Sequence, residues 1–477
     1  MKTVEKLSDK LGARERFFFG LGDFFGGGAG IFMTVVYFYF LTEVMRIPPG
    51  MAGMIALVVR VWEAITDPMM GVLSDNTRSR WGRRRPGIFV GGFVVVAALG
   101  LLFLPIQGWE MWARIFFVTA SWLFYSTVSS YIGLNYAALS GEISNDYREL
   151  NAANTLRLTI SQFSTLVCAT LPLIMRDALA PRMGIENAYL AMALTFGVIF
   201  GTVTVLVAVF SRERVPMPAV KSAFKISVFI KPLRVKCFKQ MLLMYLFAFL
   251  TLDIVTTLFQ HFMRYVAHRP GEASFVLGAL VIAQLCMIPV IFSLTKKISK
   301  PLIFKLSIPI WLVGAFLLSL YSAAWPPVLI YVFAVFTGLG VCGCVMMPWL
   351  MFPDTVDAGE VKFGTRITGS FSGIMTFARQ LSSAVGVAIV GWVMQWTGFD
   401  PALGTYGQPA SAIMGFRGLI IVSAVLLLGI AFYFATRNKL TGEKSMTIKE
   451  ALPYLREGRE MPEELAARLE EVKAELV

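Results

Sequence analysis

The sequence predicts an all-α membrane protein with twelve transmembrane helices in two six-helix bundles. Two observations carry that expectation. Of the 477 residues, 56% are apolar and 15% are charged, against about 25% charged in an ordinary soluble chain. The apolar residues also gather in runs of about twenty, the length that crosses a bilayer as a helix. A soluble globular chain and a disordered chain are both excluded by this composition.

The elements follow in order. Lys2, Lys6, Lys10, Arg14 and Arg16 precede the first apolar run. That run is too long for a cleaved signal segment and is read as a retained first span. Spans are expected near 17–43, 50–74, 87–106, 111–140, 153–175 and 188–210. After a polar stretch they resume near 238–263, 273–295, 302–323, 327–351, 367–397 and 411–436. The chain divides into a bundle over 1–210, a central loop over 211–237, a bundle over 238–436 and a charged tail over 437–477. In the tail, Met461-Pro462-Glu463-Glu464 reads as a helix start: proline suits the first turn, and acids suit the positive end of the helix dipole.

The net charge of +13 finds its place in the loops. Residues 75–86 hold Arg78, Arg80, Arg83, Arg84 and Arg85 against one acid. The central loop holds Arg212, Arg214, Lys221, Lys225, Lys231, Arg234 and Lys236 against Glu213. Residues 296–305 hold Lys296, Lys297, Lys300 and Lys305 and no acid. The opposite loops, 322–327 and 398–410, carry only Asp400. The positive-inside rule then places both termini and the central loop in the cytoplasm. The basic balance is an orientation signal, and no nucleic-acid partner is expected.

Cys168, Cys237, Cys286, Cys342 and Cys344 are odd in number and form no paired CxxC units. They are expected as buried free thiols. The glycines of GLGDFFGGG at 20–28 do not match GxGxxG and lie inside a span. They either pack helices closely or line a cavity.

The chemistry concentrates in the second span, RVWEAITDPMMG at 60–71. Glu63 and Asp67 stand four residues apart and share a helix face. Two carboxylates in a membrane need a cavity, a cation or a proton. With the Thr66 hydroxyl beside them, these hard oxygens suit Na⁺ or Li⁺. Two close carboxylates also raise one pKa, which suits H⁺. The competing reading is that Arg60, three residues before Glu63, neutralises it structurally. Next, Asp75 and Arg83 belong to a turn able to lock helix ends by charge pairing, or simply to fix topology. In the second half, Pro353 to Gly364 is expected as a polar turn between the tenth and eleventh spans, and Asp354 and Arg366 complete this cytoplasmic gate. On the seventh span, Asp253 and Gln260 share a face, His261 reads as an interfacial histidine and Arg264 as snorkelling. Phe17, Phe18, Phe19, Trp109 and Trp112 read as a membrane-interface belt.

The twelve-span pattern with GVLSD followed by RWGRRRP resembles the major facilitator superfamily. RVWEAITDPMMG, TRSRWGRRRPG and PDTVDAGEVKFGTR more narrowly resemble the glycoside–pentoside–hexuronide:cation symporters, and sodium-dependent lysophospholipid transporters share the pattern. The resemblance covers nearly the whole chain. It implies a coupling cation, Na⁺ or H⁺, held by Glu63 and Asp67, with Thr66 between them and hydroxyls at Ser129 and Thr376 on the fourth and eleventh helices. In melibiose-type relatives a first-helix sugar aspartate matches Gly27, with Asp23 one turn earlier. Their second aspartate matches Ile132 and their stacking tryptophan Tyr136. Their fifth-helix arginine matches Arg157, and their eleventh-helix lysine matches Gln380, beside Arg379. Both sugar aspartates are lost and two arginines meet few opposing acids, so the expected substrate is a sugar-related solute or organic anion, or alternatively a lysophospholipid-like amphiphile. The resemblance implies a symporter rather than an enzyme, with a small-molecule substrate, membrane lipid around it, no resident cofactor, no metal beyond the transported cation, and a monomer. A polyprenyl-transferase reading lacks acidic or histidine-rich motifs. A membrane sensor signalling through the tail is the remaining non-transport reading.

Overall fold

The computed structural model describes residues 10–144, 146–214, 230–365, 367–457 and 459–477. Among them are twelve helices long and apolar enough to cross a membrane. In order, the first six are Ala13–Val44, Pro49–Gly71, Arg85–Leu102, Met111–Ser140, Ala152–Met183 and Ile185–Phe210. The last six are Lys236–Val266, Pro270–Thr295, Lys300–Leu320, Val328–Phe363, Thr368–Trp396 and Ala410–Arg437. The chain forms two compact units, Met1–Phe224 with Ala273–Phe275, and Lys225–Glu272 with Val276–Val477.

In the first unit, the first span is irregular. It passes through Gly22, continues over Asp23–Phe32 and then takes two π-turns, Met33–Tyr37 and Phe40–Val44. Arg46, with φ at 55°, and the Pro48-Pro49 pair end it. Gly20, Gly22, Gly27 and Gly28 of this span are packing positions, whereas Gly26 and Gly30 face no neighbouring helix. A β-carbon on Gly22 would lie 2.5 Å from the Tyr136 ring. One on Gly27 would strike Ser161, and one on Gly28 would strike Ser164. Small residues let backbones approach where lipid supplies no hydrophobic drive between helices. The same device joins the third and sixth spans, where Gly201 faces the Gly92 carbonyl.

In the second unit, Gly340 of the tenth span rests against the Trp311 backbone of the ninth, and Gly343 against Ser307. The tenth span corrects the expected turn. It is one helix from Val328 to Phe363 with Pro348 and Pro353 inside it, so Pro353 to Glu360 is helical. It ends at Gly364, whose φ of 67° suits a left-handed cap. The fifth helix also outruns its expected bounds, spanning Tyr147–Met183. The tail holds two helices, Gly442–Glu457 and Glu463–Leu476, where one was expected. The second begins after Pro462 with Glu463 and Glu464 in its first turn. Ile448, Ala451, Leu452, Leu469, Val472 and Leu476 are buried, so both tail helices are docked on the second unit.

Two smaller expectations are corrected. Phe19 is fully buried against Tyr136, with ring centroids 5.3 Å apart, while Phe17, Trp109 and Trp112 are exposed. Cys286 is exposed, and the other four cysteines are buried. His261 is fully buried within the protein, packed among Tyr265, Phe399 and Phe416.

Candidate functional site

The helix Pro49–Asn76 brings Glu63 to a nearly closed position, 7% exposed. Its two carboxylate oxygens have different partners. Ser126 Oγ on the fourth span donates to Oε1 at 2.5 Å. Arg60 Nη1 donates to Oε2 at 2.6 Å. Hence the pairing left open in the sequence does form, and Glu63 holds an internal guanidinium. Thr66 Oγ1 donates to the Trp62 carbonyl at 2.9 Å and keeps its lone pairs for another group. Asp67 follows Glu63 by one helical turn and is half-buried. Ser129 hydrogen-bonds Tyr125, and Ser126, three residues earlier, is the hydroxyl that meets Glu63. Residue spacing on the fourth span offers several hydroxyls, Ser126, Ser129 and Ser130, and nothing in the sequence selects among them. Thr376 lies on the eleventh span in the second unit and is exposed. Chemically, the Glu63 cluster gathers hard oxygens around a carboxylate, with a cation already present as Arg60. A cation or proton bound at Glu63 would have to compete with that guanidinium.

The residues matched to a sugar site fall into two separate groups. In the first unit, Arg157 Nε stands 3.4 Å from Asp23 Oδ2 and its guanidinium lies 5.7 Å from the Tyr136 ring centre. Ser161 also hydrogen-bonds Asp23. Tyr136 donates its hydroxyl to the Phe19 carbonyl at 2.7 Å. Ile132 is buried against Gly91 of the third span, and Gly27 sits on Ser161, so both occupy helix-packing positions. In the second unit, Arg379 makes a two-point pair with Asp253, at 2.5 and 2.9 Å, and lies over the Phe249 ring. Gln380 follows it on the half-buried side of the same helix. These pairs correct the premise of the anion expectation. Each arginine already faces a carboxylate in its own unit, which offsets the charge an anion would seek.

The gate residues also find partners within their units. Arg83 grips both oxygens of Glu142, at 2.5 and 3.1 Å, and Arg84 joins it at 3.0 Å. Arg84 also donates to Ser74, which donates to Asn135. Glu213 accepts the backbone N–H groups of Arg83, Arg84 and Arg85 at 2.9, 2.8 and 3.1 Å. A carboxylate is favoured at the exposed amides that open the third span. Gly82, at φ 104°, leaves room for it. Glu142 and Glu213 were missed in the sequence, although Glu213 stood out as the lone acid of the central loop. The Asp75 side chain and all of Arg366 lie outside the described residues. Asp354 is 4% exposed and pairs with Lys300, with Lys449 at 3.0 Å and with Ser445 at 2.6 Å. Lys300 belongs to the expected basic loop, whereas Lys449 and Ser445 come from the tail.

A family model described as MFS/sugar transport protein matches residues 18–441. The inner membrane symporter YicJ of Escherichia coli is 27% identical, over 93% of this chain and 96% of its own. The chicken (Gallus gallus) sodium-dependent lysophosphatidylcholine symporter 1 is 24% identical, over 91% of this chain and 87% of its own. The crystal structure of the nucleoside transporter NupG superposes with a TM-score of 0.61 at 13% identity, covering 90% of this chain and 99% of that one. At that identity the superposition speaks for the fold alone. The residues matched and the fold together make this chain a member of the MFS/sugar transport protein family, a multi-pass membrane symporter.

Proposed function

We propose that this symporter couples the movement of Na⁺ or H⁺ to the uptake of a sugar-related small molecule, through the Glu63–Asp67 face of the second span. The observation that carries the reading is the Glu63 carboxylate. It is 7% exposed, touched by Ser126 and Arg60, and one turn from a second acid. Carboxylates at membrane depth are expensive and mark ion pathways. Thr66 supplies a further oxygen beside them. Thr376 joins the set only as a position implied by family resemblance. The family description supports a sugar-related solute, and the internal neutralisation of Arg157 and Arg379 favours a neutral one over an anion. In this reading Arg157 with Asp23, and Arg379 with Asp253, offer paired donors and acceptors to hydroxyl groups. Transport runs by alternating access, the cation and solute raising each other's affinity equally. The protein works as a single chain in a bacterial inner membrane, with the tail on the cytoplasmic side.

A second reading rests on the relative named as a lysophosphatidylcholine symporter, which supports an amphiphile as the solute. A thermal-shift screen of purified protein against sugars, uronates and lysophospholipids, each with and without Na⁺, separates the two. A sugar that stabilises more strongly in Na⁺ or at low pH supports the first reading. Stabilisation by lysophospholipids alone replaces it with the second.

A further inference from the structure

The first tail helix pairs with the tenth span and with the second tail helix. All three basic residues of Gly442–Glu457 find an acid: Lys449 on Asp354, Arg456 on Glu360, and Lys444 on Glu475 of the neighbouring tail helix. Arg456 meets both oxygens of Glu360, at 2.6 and 2.8 Å, and Ser445 adds a hydrogen bond to Asp354. Asp354 and Glu360 are 4% and 8% exposed. Both acids lie just beyond Pro353, on the last turns of the tenth span. Pro348 and Pro353 each remove a backbone N–H from that helix and crowd the carbonyl four residues earlier. Paired prolines in one helix are where it bends most readily. The tail therefore grips the segment that a bend at Pro348–Pro353 would set free.

We propose that the two tail helices form an ionic latch on the tenth span, holding the segment from Asp354 to Phe363 in the arrangement described. Its apolar seam, Ile448, Ala451, Leu452 and Leu469, keeps the tail nearby, while the ion pairs to Asp354 and Glu360 set the grip. Tethering makes the grip intramolecular, so modest contacts suffice. Lys449 and Arg456 are each about half exposed in their side chains, at 49% and 51%. Salt screens pairs of that kind, and a change of charge on the tail weakens them. A latch that binds one arrangement shifts the population toward it by its differential affinity. Release of the tail frees the end of the tenth span to bend at Pro348 and Pro353. The inference uses the second unit alone, so it stands or falls independently of the cation site.

Hydrogen exchange on the full chain in lipid nanodiscs tests it, read at the tail and at residues 354–363. In Lys449→Glu/Arg456→Glu, exchange rises at both places, by about fivefold for two half-exposed pairs. The milder Arg456→Gln raises it less. Melting of the spanning helices serves as the control for folding. The swap Glu360→Arg/Arg456→Glu restores protection, because the pair is re-formed with reversed polarity. Faster exchange in the tail with residues 354–363 unchanged makes the tail a passenger and overturns the latch. Unchanged exchange at both places overturns it too, since the ion pairs then hold nothing.

Discussion

Glu63 meets a hydroxyl and a guanidinium through separate oxygens, and Asp253 meets both nitrogens of one guanidinium. Both acids were legible as working groups because a carboxylate inside an apolar run is costly wherever it has no partner. Their partners were not equally legible. Arg60 is three residues from Glu63, so local spacing revealed it. Arg379 is 126 residues from Asp253, and only folding of the second unit joins them. On the fourth span Ser126 meets Glu63 while Ser129 meets Tyr125, a distinction that sequence spacing does not make. The Arg379–Asp253 pair has a direct energetic test. Arg379→Ala leaves a 2% exposed carboxylate without its counter-charge and lowers stability by about 3–5 kcal/mol. The double variant Asp253→Asn/Arg379→Gln loses less than the sum of its single variants. Melts of the four proteins in detergent measure the coupling, and additive losses would show that the pair acts as two independent groups.

At the scale of the element, hydropathy revealed the spanning helices but misplaced polar ends. The tenth helix continues past Pro353 because its acids are neutralised there by Lys300, Lys449 and Arg456. Read without those distant bases, the same acids looked like a turn. The glycines show the reverse case: their spacing left packing and cavity lining open, and neighbouring side chains make Gly22, Gly27 and Gly28 packing positions. Gly340→Ala places a carbon on the Trp311 backbone nitrogen and destabilises the second unit by about 1–3 kcal/mol. A melting temperature equal to that of the native protein would show that the ninth and tenth helices separate without strain. The tail carries a pH signature. Lys439, and then Lys444, hold the Glu475 carboxyl down to about 2 from its ordinary value of 4.5. A depressed carboxyl contributes stability above its unfolded pKa and loses it as pH falls through the folded one. Docking of the second tail helix is therefore steady above about pH 4.5 and weakens from there toward about pH 2. A fluorophore on the tail reports this, and Glu475→Gln flattens the profile. A native profile already flat in that window would contradict the role given to Lys439 and Lys444.

Across the whole molecule, the twelve-span architecture was readable because apolar run length and basic loop placement are local and additive. The candidate site was half readable. Acids stand out against a membrane background, whereas the way each unit neutralises its own arginines is a tertiary fact. In the proposed reading that fact favours a neutral, hydroxyl-rich solute over an anion. In the same proposed reading Glu63 and Asp67 are the pair on which coupling rests, and Arg60, already on Glu63, competes with the cation. The most direct test is gradient-driven uptake in proteoliposomes, using the sugar selected by the thermal-shift screen and comparing the native chain with Asp67→Asn. The native protein is expected to concentrate the sugar along an inward Na⁺ or H⁺ gradient, whereas Asp67→Asn only equilibrates it. An Asp67→Asn protein that still concentrates the sugar would contradict the role given to Asp67.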